Sequence, residues 1–273
     1  MNSFITKKAI IVIGIGEMSG VFTRGLLRAG YPLIPVTRDM DINEVARQVE
    51  DPEMVLVAVG ESDLDPLLEQ IPLQWKNKVA LLQNELLPRD WQRHQLVNPT
   101  VISVWFEKKK GQDFKVLVSS PIMGPKAEII KTALAQIGIP SWIVKNDSEM
   151  LFELVRKNLY ILTTNIAGME VGGDVNSLWN IHRELALKVF DDVLTIQNHL
   201  TRQKHQLKHE LKQELEQEQD RERLIEAMVE AINGDLAHQC MGRSAPARLA
   251  RALDYAKENH LQVKELERIA SRK

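Results

Sequence analysis

Residues 9–20 read Ala-Ile-Ile-Val-Ile-Gly-Ile-Gly-Glu-Met-Ser-Gly. Residues 9–14 form a continuous, largely β-branched run, the pattern of a parallel strand buried on both faces. The run passes straight into glycines. A helical segment follows from about Met18 to Ala29, with Val21, Phe22, Leu26 and Ala29 near helical spacing and Gly30 as its C-terminal cap. A glycine turn between a buried strand and a helix is suited to holding the pyrophosphate of a dinucleotide. Gly14 permits the tight turn, and Gly16 lets the pyrophosphate approach the backbone. The helix start at Glu17, Met18 and Ser19 offers free N–H groups and a positive dipole end. Ser19 occupies the third glycine position of Gly-x-Gly-x-x-Gly, a departure that a small side chain tolerates. The plain alternative is a Rossmann-like domain that holds no cofactor.

Outward from this turn, strands and helices alternate. Strands are predicted at Pro32–Thr37, Met54–Val59, Val79–Leu82, Val101–Phe106, Phe114–Ser119 and Ser141–Val144. Helices are predicted at Ile42–Val49, Leu64–Gln70 and Lys126–Ile137, the last ending at Gly138. The pattern predicts an α/β fold, a doubly wound parallel sheet of the Rossmann type. From about Asp147 strand-like runs stop. Helical patterns follow at Met150–Ala167, Leu178–Asn198, a charged stretch to Glu222, Arg223–Ile232 and Ala247–Asn259. The expectation is a cofactor-binding domain over residues 1–146 and an all-helical substrate or dimerisation domain over residues 147–273.

The second strand ends Val36-Thr37-Arg38. An NAD site usually has an acidic residue here for the ribose hydroxyls. Arg38 instead suits a 2′-phosphate, with Thr37 adding a hydroxyl, so NADP is the expected cofactor. The other reading of Arg38 is a surface arginine answering Asp39.

Composition sets limits on the rest. The 273 residues carry a formal net charge of −2, which gives no bulk attraction to nucleic acid or to an anionic membrane. The single cysteine, Cys240, excludes an internal disulfide framework and fits a reducing cytosol. No apolar run approaches the ~18 residues of a membrane span, so a soluble, cytoplasmic protein is expected.

The arrangement resembles the ketopantoate reductases (2-dehydropantoate 2-reductases) and, more distantly, the 6-phosphogluconate dehydrogenase-like superfamily. Arg38 falls where those enzymes place an NADP-binding arginine. Val57-Ala58-Val59 resembles their strand into the cofactor cleft, with Gly60 in place of the usual lysine. Gln83-Asn84-Glu85 resembles their Gln-Asn-Gly turn, with Glu85 replacing the glycine. The resemblance implies that Asn84 contacts cofactor and substrate. The family has a lysine followed by asparagines four and eight residues on, a spacing that puts all three on one helix face; here these positions are Lys157, Ile161 and Asn165. Lys157 matches the lysine that protonates the nascent alkoxide, and Asn165 matches the second asparagine. Gly242-Arg243-Ser244-Ala245-Pro246-Ala247-Arg248 resembles the family's Gly-Arg-x-Thr-Glu-Ile-Asp, but Pro246 replaces the substrate-binding glutamate. The serine expected twelve residues before it is Gly234. Lys157 also reads as an exposed helix lysine, and Asn165 as a buried amide bonding its surroundings.

His205 and His209, spaced i, i+4, read as a solvated helix face rather than a metal site, and none is expected. Leu200, Leu207, Leu211 and Leu215 form a thin stripe that suits contact with a partner chain or with the protein's own helices, and a homodimer through the helical domain is one expectation. Cys240, two residues from His238, reads as a small core residue before a nucleophile. Lys108–Lys110 reads as a turn exposed to solvent. Three functions fit these features. The first is an NADP-dependent oxidoreductase acting on a small-molecule 2-oxo acid or related carbonyl. The others are a non-catalytic dinucleotide-binding sensor or regulatory protein, and a structural dimerisation protein.

Overall fold

β1 (Ile10–Ile13) is buried at all four positions. Ile10 and Val12 join the core cluster on one face of the sheet, together with Phe22, Leu26, Ile130 and Leu134. Ile11 and Ile13, pointing the other way, are buried as well, as a strand covered on both faces requires. The computed structural model describes residues 7–201 and 210–272, and for 210–219 the backbone alone.

α1 (Glu17–Arg28) turns the chain back to β2 (Leu33–Val36), which lies at the edge of the sheet. Pro35 sits in β2, and an edge strand is where a missing N–H costs least. α2 (Ile42–Gln48), capped by the Asp41 carboxylate, leads to β3 (Met54–Val57) on the other side of β1. α3 (Glu61–Gln70) and a short 3-10 helix (Leu73–Lys78) precede β4 (Val79–Leu81). α4 (Pro88–Gln92) precedes β5 (Thr100–Ile102).

The run Val101–Phe106 ends its sheet pairing at Ile102. Its tail enters β6 (Phe106–Glu107), which forms a separate antiparallel hairpin with β7 (Lys115–Val116). The expected strand Phe114–Ser119 is thus reduced to β7. The main sheet continues with β8 (Ser120–Met123), which contains Pro121. A proline argues against an inner strand, yet its carbonyl still accepts from the Ser103 N–H at 3.1 Å. α5 (Ala127–Ala135) and β9 (Ser141–Ile143) complete the order β2-β1-β3-β4-β5-β8-β9. The first five strands are parallel, and β8 runs antiparallel to β5. The order reverses between β1 and β3, and such a switch point is where doubly wound sheets bind ligands.

α1 packs on α5 through Gly25. A Cβ there would run into the Ala133 carbonyl oxygen and come within 2.8 Å of its carbon. The glycine that permits close packing is therefore Gly25, downstream of the motif.

The chain divides into two compact units, one up to Leu154 and one from Val155, the division falling inside α6 (Asp147–Val171). The second unit is helical: α7 (Val175–Ile181), α8 (Arg183–Thr201), α9 (Glu210–Gly234), α10 (Ala245–Glu258) and α11 (Lys264–Ser271). The expected helix Leu178–Asn198 is two helices that break at His182. α11 carries no glycine or proline signal at either end, and the expected helices stop short of it. Its N-terminus is held by the Asp192 carboxylate, which accepts from the Glu265 and Leu266 N–H groups. His205, His209 and Leu207 lie outside the described residues, as do the side chains of Leu211 and Leu215. No helix among the described residues is long and apolar enough to cross a membrane.

Candidate functional site

The glycine turn leaves β1 at the switch point and is tied to both neighbouring strands. The Gly14 N–H donates to Val36 O at 3.1 Å, and the Ala58 N–H donates to Ile13 O at 2.8 Å. Gly14 has φ +91°, and a Cβ there would lie 2.9 Å from Ala58 O and from Val59 Cγ1. Both the conformation and the space exclude a side chain.

Gly16 is different. Its backbone is extended, with φ −112° and ψ −173°, and a Cβ would meet nothing within 4 Å. Nothing in the chain requires glycine here, but a ligand lying on the backbone would. Gly16 also has no side chain to cap α1, so the first-turn N–H groups have no acceptor from that position. Ser19 is 2% exposed, and its hydroxyl accepts from the Gly16 N–H and donates to Gly16 O, each at 2.8 Å. The departure from the third glycine thus locks the turn from beneath. The Met18 side chain packs against the core, leaving its backbone to the turn. Glu17 is exposed.

Beside the turn lies a cavity of about 760 Å³, lined by Gly14, Gly16, Thr37, Arg38, Gly60 and Asp63 among others. That size suits a nucleotide-sized ligand. Arg38 is paired, though not with Asp39: its Nη2 donates to Asp63 Oδ2 at 2.8 Å. The arginine side chain remains 89% exposed, so the guanidinium stays open to solvent despite this pair. Asp63 lies in the first turn of α3, an acidic helix start that the sequence displays but whose partner it does not.

The Gln83-Asn84-Glu85 turn stands at the end of β4. Gln83 is buried; its amide donates to Val57 O at 2.8 Å and to Val59 O at 3.3 Å, which fixes the end of β3. Asn84 Nδ2 donates to Glu61 Oε1 at 3.0 Å, at the start of α3. Glu85 has φ +61°, the left-handed conformation natural to glycine. The glutamate keeps the backbone of a glycine turn at a strain of about 1 kcal/mol. The first unit therefore brings Gly14, Gly16, Thr37 and Arg38 to one cavity, with Asn84 bonded to the helix that follows Gly60.

Lys157 and Asn165 belong to the second unit. Both are on α6, where Lys157 is half-buried. Asn165 is buried: its Nδ2 donates to Cys240 O at 3.0 Å, and its Oδ1 accepts from Arg248 Nη1 at 2.7 Å. Ile161, one helical turn before it, is also buried. Asn158, a possible substitute for the missing asparagine, is committed to Gln197 Oε1 at 3.0 Å. Cys240 is buried, and burial, with the Asp174 carboxylate adding to it, pushes its thiol up to about 11. It is a packing residue, in line with the plainer reading.

A doubly wound sheet with a glycine turn at its switch point, followed by a helical unit, defines a fold of the Rossmann type. No protein-family model matches the chain, and no curated protein matches it in sequence. Solved structures do match. A PanE/ApbA family ketopantoate reductase from Ralstonia eutropha JMP134 is similar with a TM-score of 0.63 at 13% identity, over 96% of each chain. A dimeric ketopantoate reductase from Staphylococcus aureus is similar with a TM-score of 0.62 at 15% identity, again over 96% of each. A D-mandelate dehydrogenase solved with NADH gives a TM-score of 0.59 at 11% identity, over 96% of each. At these identities the likeness is one of fold, and the fold is that of the ketopantoate reductases.

Proposed function

We propose that the protein binds a nicotinamide dinucleotide on its glycine turn, NADP before NAD. We further propose that it acts as an oxidoreductase on a 2-oxo acid or related carbonyl. The observation that carries the reading is Gly16: an extended glycine with open space at its Cβ, on a turn at the switch point of the sheet. Gly14, Glu17, Met18 and Ser19 build the turn around it. NADPH, when bound, supplies a hydride to the carbonyl carbon. Thr37 and Arg38 hold the adenosine 2′-phosphate. Lys157 holds the proton that neutralises the developing alkoxide, as a general acid. Asn84 orients the substrate carbonyl. Asn165 has one amide hydrogen left for a substrate once its bonds to Cys240 and Arg248 are made. A homodimer formed through the helical unit is part of the same proposal.

A specific observation favours a second reading, a dinucleotide-binding protein without turnover. The polar set of a ketopantoate site is missing at Ile161, Gly234 and Pro246, and Asn165 is largely committed to its own unit. A panel of 2-oxo acids assayed for oxidation of NADPH separates the two. Turnover of any member supports the oxidoreductase, whereas tight NADPH binding with no turnover across the panel leaves the sensor.

The 2′-phosphate assignment has its own test. Arg38→Ala is expected to weaken NADPH binding by about 1–3 kcal/mol, the worth of a charge-assisted contact, and to leave NADH unchanged. Calorimetry showing equal losses for the two cofactors would remove Arg38 from the 2′-phosphate.

A further inference from the structure

Glu17 is an awkward neighbour for a diphosphate. It follows Gly16 directly, is the first residue of α1, and its side chain is 47% exposed. An uncompensated carboxylate at the start of that helix opposes the anion that the turn would hold. The compensating charge comes from the β6–β7 hairpin. Lys108 Nζ lies 3.4 Å from Glu17 Oε2. Lys108 was expected to be solvated with Lys109 and Lys110, and the latter two are exposed. Its own side chain, however, is only 20% exposed and folds back on the turn, its ammonium donating to Lys109 O at 3.0 Å and to Gln112 O. The carbonyls hold the cation in place, so its charge is fixed beside Glu17 before any ligand arrives.

These two side chains line a second cavity, of about 490 Å³, which shares Ile15 and Gly16 with the first. The other charges there answer each other, Arg24 lying 3.7 Å from Asp113. Lys108 is therefore the cation of this cavity that stands against Glu17.

We propose that Lys108 is a positioning residue of the dinucleotide site: held by the hairpin, its ammonium offsets Glu17 so that a diphosphate can settle on the glycine turn. The inference rests on the dinucleotide reading above and adds a residue to it. It differs from the Arg38 assignment in one decisive respect. Arg38 distinguishes NADPH from NADH, whereas the diphosphate is common to both, so Lys108 must affect both alike.

The test is calorimetric titration of the full-length protein with NADPH and with NADH. Lys108→Met is expected to weaken both by about tenfold, the scale of one charge-assisted contact. Glu17→Gln is expected to tighten both. The double variant Lys108→Met/Glu17→Gln is expected to return to within about threefold of the wild type, because the offset is no longer needed. Lys110→Met makes the same charge change on the exposed part of the turn and is expected to move neither affinity by more than about twofold. Thermal melts of each variant confirm that folded protein is compared. Wild-type binding with an unaltered Lys108→Met overturns this inference and leaves the dinucleotide reading standing. So does a double variant as weak as Lys108→Met, which would mean that the ammonium touches the ligand itself. A wild type that binds neither cofactor overturns both.

Discussion

Gly16→Val is expected to leave the protein folded and to abolish NADPH binding. The two halves of that result come from the same local geometry. At φ −112° and ψ −173° the backbone of Gly16 is in the region that β-branched residues prefer, and a Cβ meets nothing within 4 Å. Replacing glycine there also reduces the freedom of the unfolded chain, so stability should change by less than about 1 kcal/mol. The valine methyl groups, however, project into the space that a pyrophosphate lying on the turn must occupy. The expected loss is at least about a hundredfold in affinity, since the backbone N–H contacts and the helix dipole are both pushed out of reach. Gly14 offers no such clean experiment. Its φ of +91° and its contact with Ala58 O mean that a side chain there damages the fold as well. A folded Gly16→Val protein that titrates with wild-type affinity would show that the turn is not a phosphate site.

Ketopantoate is expected to be a poor substrate, with kcat/KM at least about a hundredfold below the usual enzyme range. A site for this small polar acid needs donors and acceptors for its hydroxyl and carboxylate, and each one lost from a reacting or charged group costs ~1.5–3 kcal/mol. Ile161 is apolar and buried where the family has asparagine. Gly234 closes α9 and Pro246 lies in the first turn of α10, where the family has serine and glutamate. Of the side chains that could compensate, Asn158 donates to Gln197 Oε1 at 3.0 Å, Asn176 Oδ1 accepts from the Asn180 amide at 2.7 Å, and the His238 ring lies against Tyr160. Two such losses together already reach the hundredfold level. Steady-state assays with NADPH decide the point. A kcat/KM of about 10⁴ M⁻¹s⁻¹ or above would show that the polar site is rebuilt from other residues.

The parts of the fold that were legible in the sequence are those where burial alone dictates residue type. β1 and β3 are apolar at every position because both faces of each are covered, and the glycine turn follows β1 without a break. Features that depend on a partner distant in sequence were not legible. Gly25 is a glycine because Ala133 of α5 sits against it, more than a hundred residues away. Arg38 pairs with Asp63 rather than with the adjacent Asp39, because the start of α3 is brought beside the end of β2. Three consecutive lysines read as a solvated turn, and nothing local marks Lys108 as the one that folds back. β8 was hidden by Pro121, and the break at His182 by the absence of any glycine or proline there. Glu85 shows the converse. Its side chain departs from the family turn while its backbone, at φ +61°, keeps the glycine conformation.

The first unit is proposed to hold a nicotinamide dinucleotide and to prefer NADP. The most direct test is calorimetric titration of the purified wild-type protein with NADPH and, separately, with NADH at moderate salt. One site per chain is expected, with a Kd for NADPH at least about tenfold below that for NADH, the difference coming from the 2′-phosphate on Arg38. Binding of neither cofactor would contradict the dinucleotide reading altogether, and equal affinities would contradict the preference for NADP.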